Sequence, residues 1–228
     1  LGKRKRITKK GLKHDALLET TAKGTKFVED HLNKVLIGAA AVVVVVVVVA
    51  MVIRGQNAAE LAANAQLMSA SQAAGSGLVA EAKQQYEQVI ATYPGTRSAG
   101  AATCYLGTIH FLQKDYESAL ASFNEYLDRY GRSGNLGTVA LEGKASVLEQ
   151  RRDYAGAADI YRELARAAGE LEATAARYLT DAMRCYRSAN DWETVISIAN
   201  EIINGYPDTP GEAEARLNLA EAQAFLSS

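Results

Sequence analysis

The sequence predicts an all-α protein: an antiparallel helix-pair solenoid preceded by one transmembrane helix. Three observations lead there. Nineteen residues from Val35 to Ile53 carry no charge. A motif of Asp, aromatic, two variable residues and a small or aliphatic residue recurs at a spacing of 38. The three prolines fall between the recurrences and never inside a stretch with helical periodicity, which suits a residue that lacks an N–H and clashes with the preceding helical turn.

The chain has 228 residues, enough for one modest domain plus an appendage. Its formal net charge of −1 hides an asymmetry. Residues 1–34 hold ten Lys/Arg against four Asp/Glu, and residues 35–228 hold fifteen against twenty-two. A basic tail therefore precedes an acidic body. Two cysteines, Cys104 and Cys185, are too few for the disulfide framework of a small secreted domain.

The predicted elements are 1–34 as a basic cytoplasmic tail, 35–53 as the transmembrane helix, and 54–228 as a periplasmic repeat domain of about four helix pairs plus a C-terminal capping helix. A helix over 35–53 spans roughly 28 Å at about 1.5 Å per residue, close to a hydrocarbon core of about 30 Å. The eight valines Val42–Val49 disfavour helix in water, but in lipid the backbone must satisfy itself and helix is the single-segment solution. A cleaved signal peptide has a shorter basic region and an apolar core of about 7–15 residues. Ala63-Asn64-Ala65 imitates a cleavage site but lies ten residues beyond the apolar run, so the segment reads as an uncleaved anchor.

Positive charge precedes the span at Lys3, Arg4, Lys5, Arg6, Lys9, Lys10 and Lys34 among others, and only Arg54 closely follows it. The positive-inside rule then puts the N-terminus in the cytoplasm and the large domain outside, in the periplasm of a two-membrane bacterium. The same seven residues are the candidate contacts for anionic lipid and for topology. Residues 14–31 have the pattern of an interfacial amphipathic helix, with Leu17, Leu18, Phe27 and Val28 free for lipid or a partner. Nucleic acid is not among the predicted partners.

The repeats are Asp115-Tyr116-Glu117-Ser118-Ala119, Asp153-Tyr154-Ala155-Gly156-Ala157 and Asp191-Trp192-Glu193-Thr194-Val195, with a weaker earlier copy at Ala82. Each Asp is placed to cap a helix, and the aromatic beside it to pack back on the preceding one. Four residues after each small position stand Tyr86, Phe123, Tyr161 and Ala199. Val89-Ile90, Tyr126-Leu127, Leu164-Ala165 and Ile202-Ile203 follow, so each set lies on one helix face. Tyr93-Pro94-Gly95-Thr96, Tyr130-Gly131-Arg132-Ser133 and Tyr206-Pro207-Asp208-Thr209 close three of the helices. Thr209-Pro210-Gly211-Glu212 reads as a capping box with Pro at the first helical position, opening a last helix over 211–225.

Leu106-Gly107, Asp115-Tyr116, Ala119, Phe123 and Leu127 resemble the tetratricopeptide repeat, with His110 where that family usually has Tyr. The resemblance covers roughly residues 60–226, at a period of 37–38 rather than the family's 34. Ala119, Ala157 and Gly107 suit close helix approach, and Phe123 and Tyr161 suit filling the space between repeats. The stack, rather than any one repeat, is then the folding unit.

No catalytic constellation emerges. The body holds one histidine, His110, and lacks a Cys-x-x-Cys, a phosphate loop or an HExxH. His110 reads as a satisfied core histidine, Cys104 and Cys185 as packing residues too far apart to bridge. No cofactor, metal or enzymatic activity is predicted. The resemblance implies partner binding on a concave face lined by the first helix of each repeat, which maps to Tyr105, Phe111, Glu142, Glu149, Arg177, Arg184 and Arg187. The layout also resembles the tetratricopeptide-like ancillary subunits of the Sec translocon, and the Tyr-Pro-x-Thr junctions resemble envelope-assembly repeat proteins of the outer-membrane insertion and Tol systems. The expected function is a membrane-anchored interaction scaffold, an accessory subunit holding periplasmic parts of a larger complex for translocation, envelope assembly, respiration or photosynthesis. A chaperone-like holder of exported client proteins is the alternative.

Overall fold

A computed structural model describes residues 32–227. The predicted interfacial helix and the lipid-contact candidates Lys3, Arg4, Lys5, Arg6, Lys9 and Lys10 lie outside the described residues. Among those described, every regular element is an α-helix. They are α1 (Leu32–Gly75), α2 (Val79–Thr92), α3 (Arg97–Leu112), α4 (Tyr116–Arg129), α5 (Gly134–Gln150), α6 (Tyr154–Ala167), α7 (Glu172–Ser188), α8 (Trp192–Gly205) and α9 (Pro210–Leu226). The chain divides into two units, residues 1–57 and 58–228.

In the first unit the described residues are helical. Lys34 is exposed, and the valines from Val42 to Val49 are exposed along the whole run. The helix is long and apolar enough to cross a membrane. It does not stop at Ile53, since α1 remains helical to Gly75.

The second unit is a stack of four helix pairs closed by α9. Residues 58–75 of α1 pair with α2, then α3 with α4, α5 with α6, and α7 with α8. One core cluster joins Ala63, Ala70 and Ala73 to Ala82, Tyr86 and Val89 of α2 and to Ala99, Ala102 and Leu106 of α3. A second runs from Cys104 through α4–α8 to Ala215 and Ala222 of α9. The predicted faces are the buried ones: Tyr86, Phe123, Tyr161 and Ala199 are each at most 6 % exposed. Ala119 and Ala157 are fully buried.

The turns inside the later three pairs share one geometry. Lys114, Arg152 and Asn190 adopt the left-handed conformation at φ 62°, 62° and 59°. The next residue is the capping Asp, whose backbone N–H donates five residues back, to the carbonyls of His110, Leu148 and Tyr186. This is the closing hydrogen bond of a Schellman turn. Asp115, Asp153 and Asp191 then accept from the backbone N–H of Ser118, Gly156 and Thr194 at 3.0–3.2 Å. The aromatic beside the cap has more than one destination. Tyr116 packs back on Phe111 as expected, at 5.8 Å between ring centroids. Trp192 instead stacks forward on Phe225 of α9 at 4.7 Å.

The predicted capping box at α9 forms only in part. Thr209 is the N-cap, but its hydroxyl donates to the Tyr206 carbonyl at 2.8 Å rather than capping the helix. Glu212 reaches back one residue further than expected and accepts from the Asp208 N–H at 2.8 Å.

Glycines set the spacing where repeats meet. The Phe123 ring is wedged between Gly107 of α3 and Gly143 of α5, and a Cβ on either would crowd it. Gly137 faces the Arg132 carbonyl, and a Cβ on Gly211 would come within 3.1 Å of Ala176 Cβ on α7.

Candidate partner-binding groove

The first helices of the last three pairs, α3, α5 and α7, and the closing helix α9 follow one another along the stack. The backbones of α3 and α5 approach closely, as do those of α7 and α9; α5 and α7 stand further apart. Long charged side chains span that wider gap. Glu142 of α5 accepts from Tyr178 Oη at 2.7 Å and from Arg177 Nη2 at 2.9 Å, both on α7. Two turns along α5, Glu149 accepts from Tyr161 Oη of α6 at 2.7 Å and from both terminal nitrogens of Arg184 on α7. Asp181 lies between the two arginines, 3.7 Å from Arg177 Nη1 and 3.2 Å from Arg184 Nη2. The result is an alternating chain, Glu142–Arg177–Asp181–Arg184–Glu149, that begins and ends on a carboxylate.

Its electrostatics follow from that pairing. The hydrogen bond to Glu149 holds Arg184 above the usual arginine value, and the bond to Glu142 does the same for Arg177. Burial, with the bond to Glu149, pushes Tyr161 up. Burial, with the bond to Glu142, pushes Tyr178 up to about 12. Both tyrosines are therefore neutral donors to carboxylates. The Arg177 guanidinium also lies 4.1 Å over the Tyr178 ring, within cation–π range.

Of the seven residues predicted from sequence, the structure brings together Glu142, Glu149, Arg177 and Arg184. Arg187 lies further along α7, donating to Asn218 Oδ1 at 3.1 Å and Glu221 Oε2 at 3.3 Å on α9. Tyr105 and Phe111 stand apart from this group. Tyr105 is 5.8 Å from the Tyr86 ring of α2, and Phe111 is half-buried against Tyr116. Beside the charged chain, α7 and α9 border a groove of about 420 Å³, lined on α7 by Ala173, Arg177, Thr180, Asp181 and Arg184 and on α9 by Pro210, Gly211 and Glu214. Gly211 permits this geometry, because its missing side chain lets the start of α9 sit against Ala176 and Thr180.

Three cross-repeat contacts escaped sequence reasoning. Glu60 caps α3 from α1, accepting from the backbone N–H of Arg97 at 2.7 Å and of Ser98 at 3.1 Å, and from the Ser98 hydroxyl at 2.6 Å. Burial works to raise the Glu60 pKa, but these hydrogen bonds prevail and hold it below the usual glutamate value. Arg132 forms a two-pronged ion pair with Glu163 of α6, at 2.8 and 2.5 Å. Trp192–Phe225 is the third. None leaves a local signal, since the partners stand 31 or more positions apart in every case.

His110 is buried, but it is not the fully satisfied histidine the sequence suggested. Its Nδ1 lacks a hydrogen-bond partner and sits 3.6 Å from Asp115 Oδ2. Burial and the Lys83 charge hold its pKa below the usual value, against the carboxylates of Asp115 and Glu87. Cys104 and Cys185 are buried free thiols, as expected, pushed by burial up to about 11 and about 12.

This architecture is a tetratricopeptide-like solenoid. A tetratricopeptide-repeat family model matches residues 67–133. A tetratricopeptide repeat protein from Parabacteroides merdae superposes with a TM-score of 0.59 at 16 % identity, over 71 % of this chain and 60 % of that one. A Podosopora anserina putative kinesin light chain with nearly identical TPR-like repeats superposes at 0.55 and 14 % identity, over 70 % and 84 % of the two chains. No curated protein matches the sequence. At these identities the likeness establishes the fold.

Proposed function

We propose that this chain is a non-catalytic protein–protein interaction scaffold, held at the bacterial cytoplasmic membrane by residues 35–53. In this reading residues 1–34 are cytoplasmic, with Lys3, Arg4, Lys5, Arg6, Lys9, Lys10 and Lys34 facing anionic headgroups. The repeat domain works in the periplasm as an accessory subunit, holding exported parts of a larger membrane complex. The observation that carries it is the groove between α7 and α9, an open concavity beside a network of side chains tied to one another across repeats. Side chains held by several hydrogen bonds have less rotamer freedom to lose on binding. The exposed, charge-free valine run supports the anchor, and the excess of basic residues before it supports the orientation. A basic segment, one span and an exported repeat domain together fit the layout of ancillary translocon subunits.

Purification of the full-length chain in a mild detergent, followed by mass spectrometry, tests the reading. A stable complex with a membrane protein at fixed stoichiometry is expected. Many clients at low occupancy indicate a chaperone-like holder, and a chain that purifies alone contradicts the scaffold.

A further inference from the structure

We infer that the exposed face of α1 at the start of the stack is a contact surface for a second copy of this chain. Leu61, Ala62, Ala65, Met68, Ser69 and Gln72 share one side of the helix by their spacing of three and four, and all six are exposed. Leu61 and Met68 are 74 % and 66 % exposed. The repeat register explains what this face is built for. Thirty-seven residues on from Ala62, Ala65, Ser69 and Gln72 stand Ala99, Ala102, Leu106 and Ile109 of α3. Those four belong to the core cluster that α3 shares with the first pair. On α3 these positions carry the contact with the preceding pair, and on α1 the same positions are open to solvent. Ser69 also lines a cleft of about 220 Å³ with Gln66, Gln85 and Gln88. Gln66 Oε1 and Gln85 Oε1 are buried without a hydrogen-bond partner, and buried acceptors of this kind call for a donor.

Charge selects the occupant. Residues 61–80 hold no Asp, Glu, Lys, Arg or His, and Glu60, just before them, is engaged by the start of α3. The other end of the stack is the reverse, since α9 carries Glu212, Glu214, Arg216 and Glu221. In a two-fold contact each group near the axis meets its own kind, so a charged face repels itself and an uncharged one does not. The body as a whole is acidic, with twenty-two acidic against fifteen basic side chains over residues 35–228. The α1 face is therefore where two copies meet with least repulsion. Loss of charge is also what marks the centre of protein interfaces. Leu61 and Met68 supply apolar contact, Ala62 and Ala65 let two helices approach closely, and Gln72 of a facing copy brings an amide donor.

The test introduces one cysteine into the full-length chain in membranes. Ala65 sits at the middle of the face, so Ala65→Cys brings two thiols to the two-fold axis whichever way the paired helices run. Cys104 and Cys185 are buried, and the wild type is the blank. Under mild oxidation Ala65→Cys is expected to form a disulfide-linked dimer at least about tenfold faster than Glu201→Cys on α8, because a disulfide needs its Cα atoms within about 7 Å. Adding Met68→Glu or Leu61→Glu sets like charges against each other in the contact and is expected to cut the dimer by about tenfold or more. Both positions are exposed in the single chain, so the melting temperature of the reduced protein is expected to stay the same. Crosslinking of Ala65→Cys no faster than Glu201→Cys, or a dimer that withstands both glutamates, overturns the inference. So does a photoreactive residue at Ala65 that captures a different protein in place of a second copy. These variants leave the α7–α9 groove untouched, so the scaffold reading stands or falls separately.

Discussion

The Phe123 ring on α4 occupies the space into which a side chain on Gly143 of α5 would project, so that a Cβ there would overlap its Cζ, Cε1 and Cε2 atoms. Phe123 is 1 % exposed and has Gly107 on its other side, where a Cβ would lie 2.9 Å from Cε1. The ring joins the second pair of the stack to the third, and two missing side chains make room for it. Gly143→Ala is expected to destabilise the repeat domain by about 1–3 kcal/mol, the usual cost of overpacking a core. Phe123→Leu in the same background should return part of that loss. Urea unfolding of the single and double variants measures both.

Lys114, Arg152 and Asn190 hold left-handed backbone just before their capping aspartates. Replacing each with Gly removes the steric cost of a Cβ there, and each change should raise stability by up to about 1 kcal/mol. Asp115→Ala, Asp153→Ala and Asp191→Ala should each lower it by about 1 kcal/mol through loss of the cap. Thermal unfolding of the six variants should therefore give two groups of opposite sign.

The Glu149–Arg184 pair should be worth more than an ordinary surface pair. Glu149's side chain is 15 % exposed and also accepts from Tyr161, so removing it takes that acceptor from Tyr161 and leaves Arg184 with Asp181 alone. A double-mutant cycle is expected to give a coupling of about 1–2 kcal/mol. The same cycle on Arg129–Glu125, both more than 40 % exposed, should give about 0.3–0.5 kcal/mol.

Glu60 and Glu163 are held below the usual glutamate value of 4.5. Hydrogen bonds do this for Glu60 against the effect of burial, and Arg132 does it for Glu163. Their stabilisation is complete above the unfolded value and is lost as pH falls through the lower, folded values. Melting temperature should therefore drop as pH falls below about 4.5. Glu60→Gln and Glu163→Gln should flatten that acid limb while lowering stability at neutral pH.

Burial keeps Cys104 and Cys185 protonated, with values raised to about 11 and about 12 from an ordinary 9.0. A thiol reagent at pH 8 should label both in denaturant and label the native chain at least ~100-fold more slowly. Rapid labelling of the native protein would show that the stack opens around α3 or α7.

Much of the fold was legible because its signals are local. A capping Asp acts on the N–H three residues ahead, and an apolar face repeats every three or four residues. The recurrence of Asp115, Asp153 and Asp191 therefore carried both helix boundaries and period. The candidate site was less legible because its chemistry runs between repeats. Arg177 and Glu142 are 35 positions apart, and each alone resembles an ordinary solvated charge. The family resemblance implied that both belong to a binding face and left open that they pair with one another. Glu60 was missed for the same reason, since the N–H groups it caps lie 37 and 38 residues away. The pairing of Gly143 with Phe123 is a packing relation across two repeats, with no pattern along either helix to announce it.

Photo-crosslinking in intact membranes tests the central claim most directly. A photoreactive residue placed at Thr180 or Ala173 in the groove, or at Glu193 or Glu201 on α8, reports which face a partner covers. The scaffold account predicts one dominant protein adduct from Thr180 and Ala173 and little from Glu193 and Glu201. Adducts confined to α8, or none from any position, would contradict it.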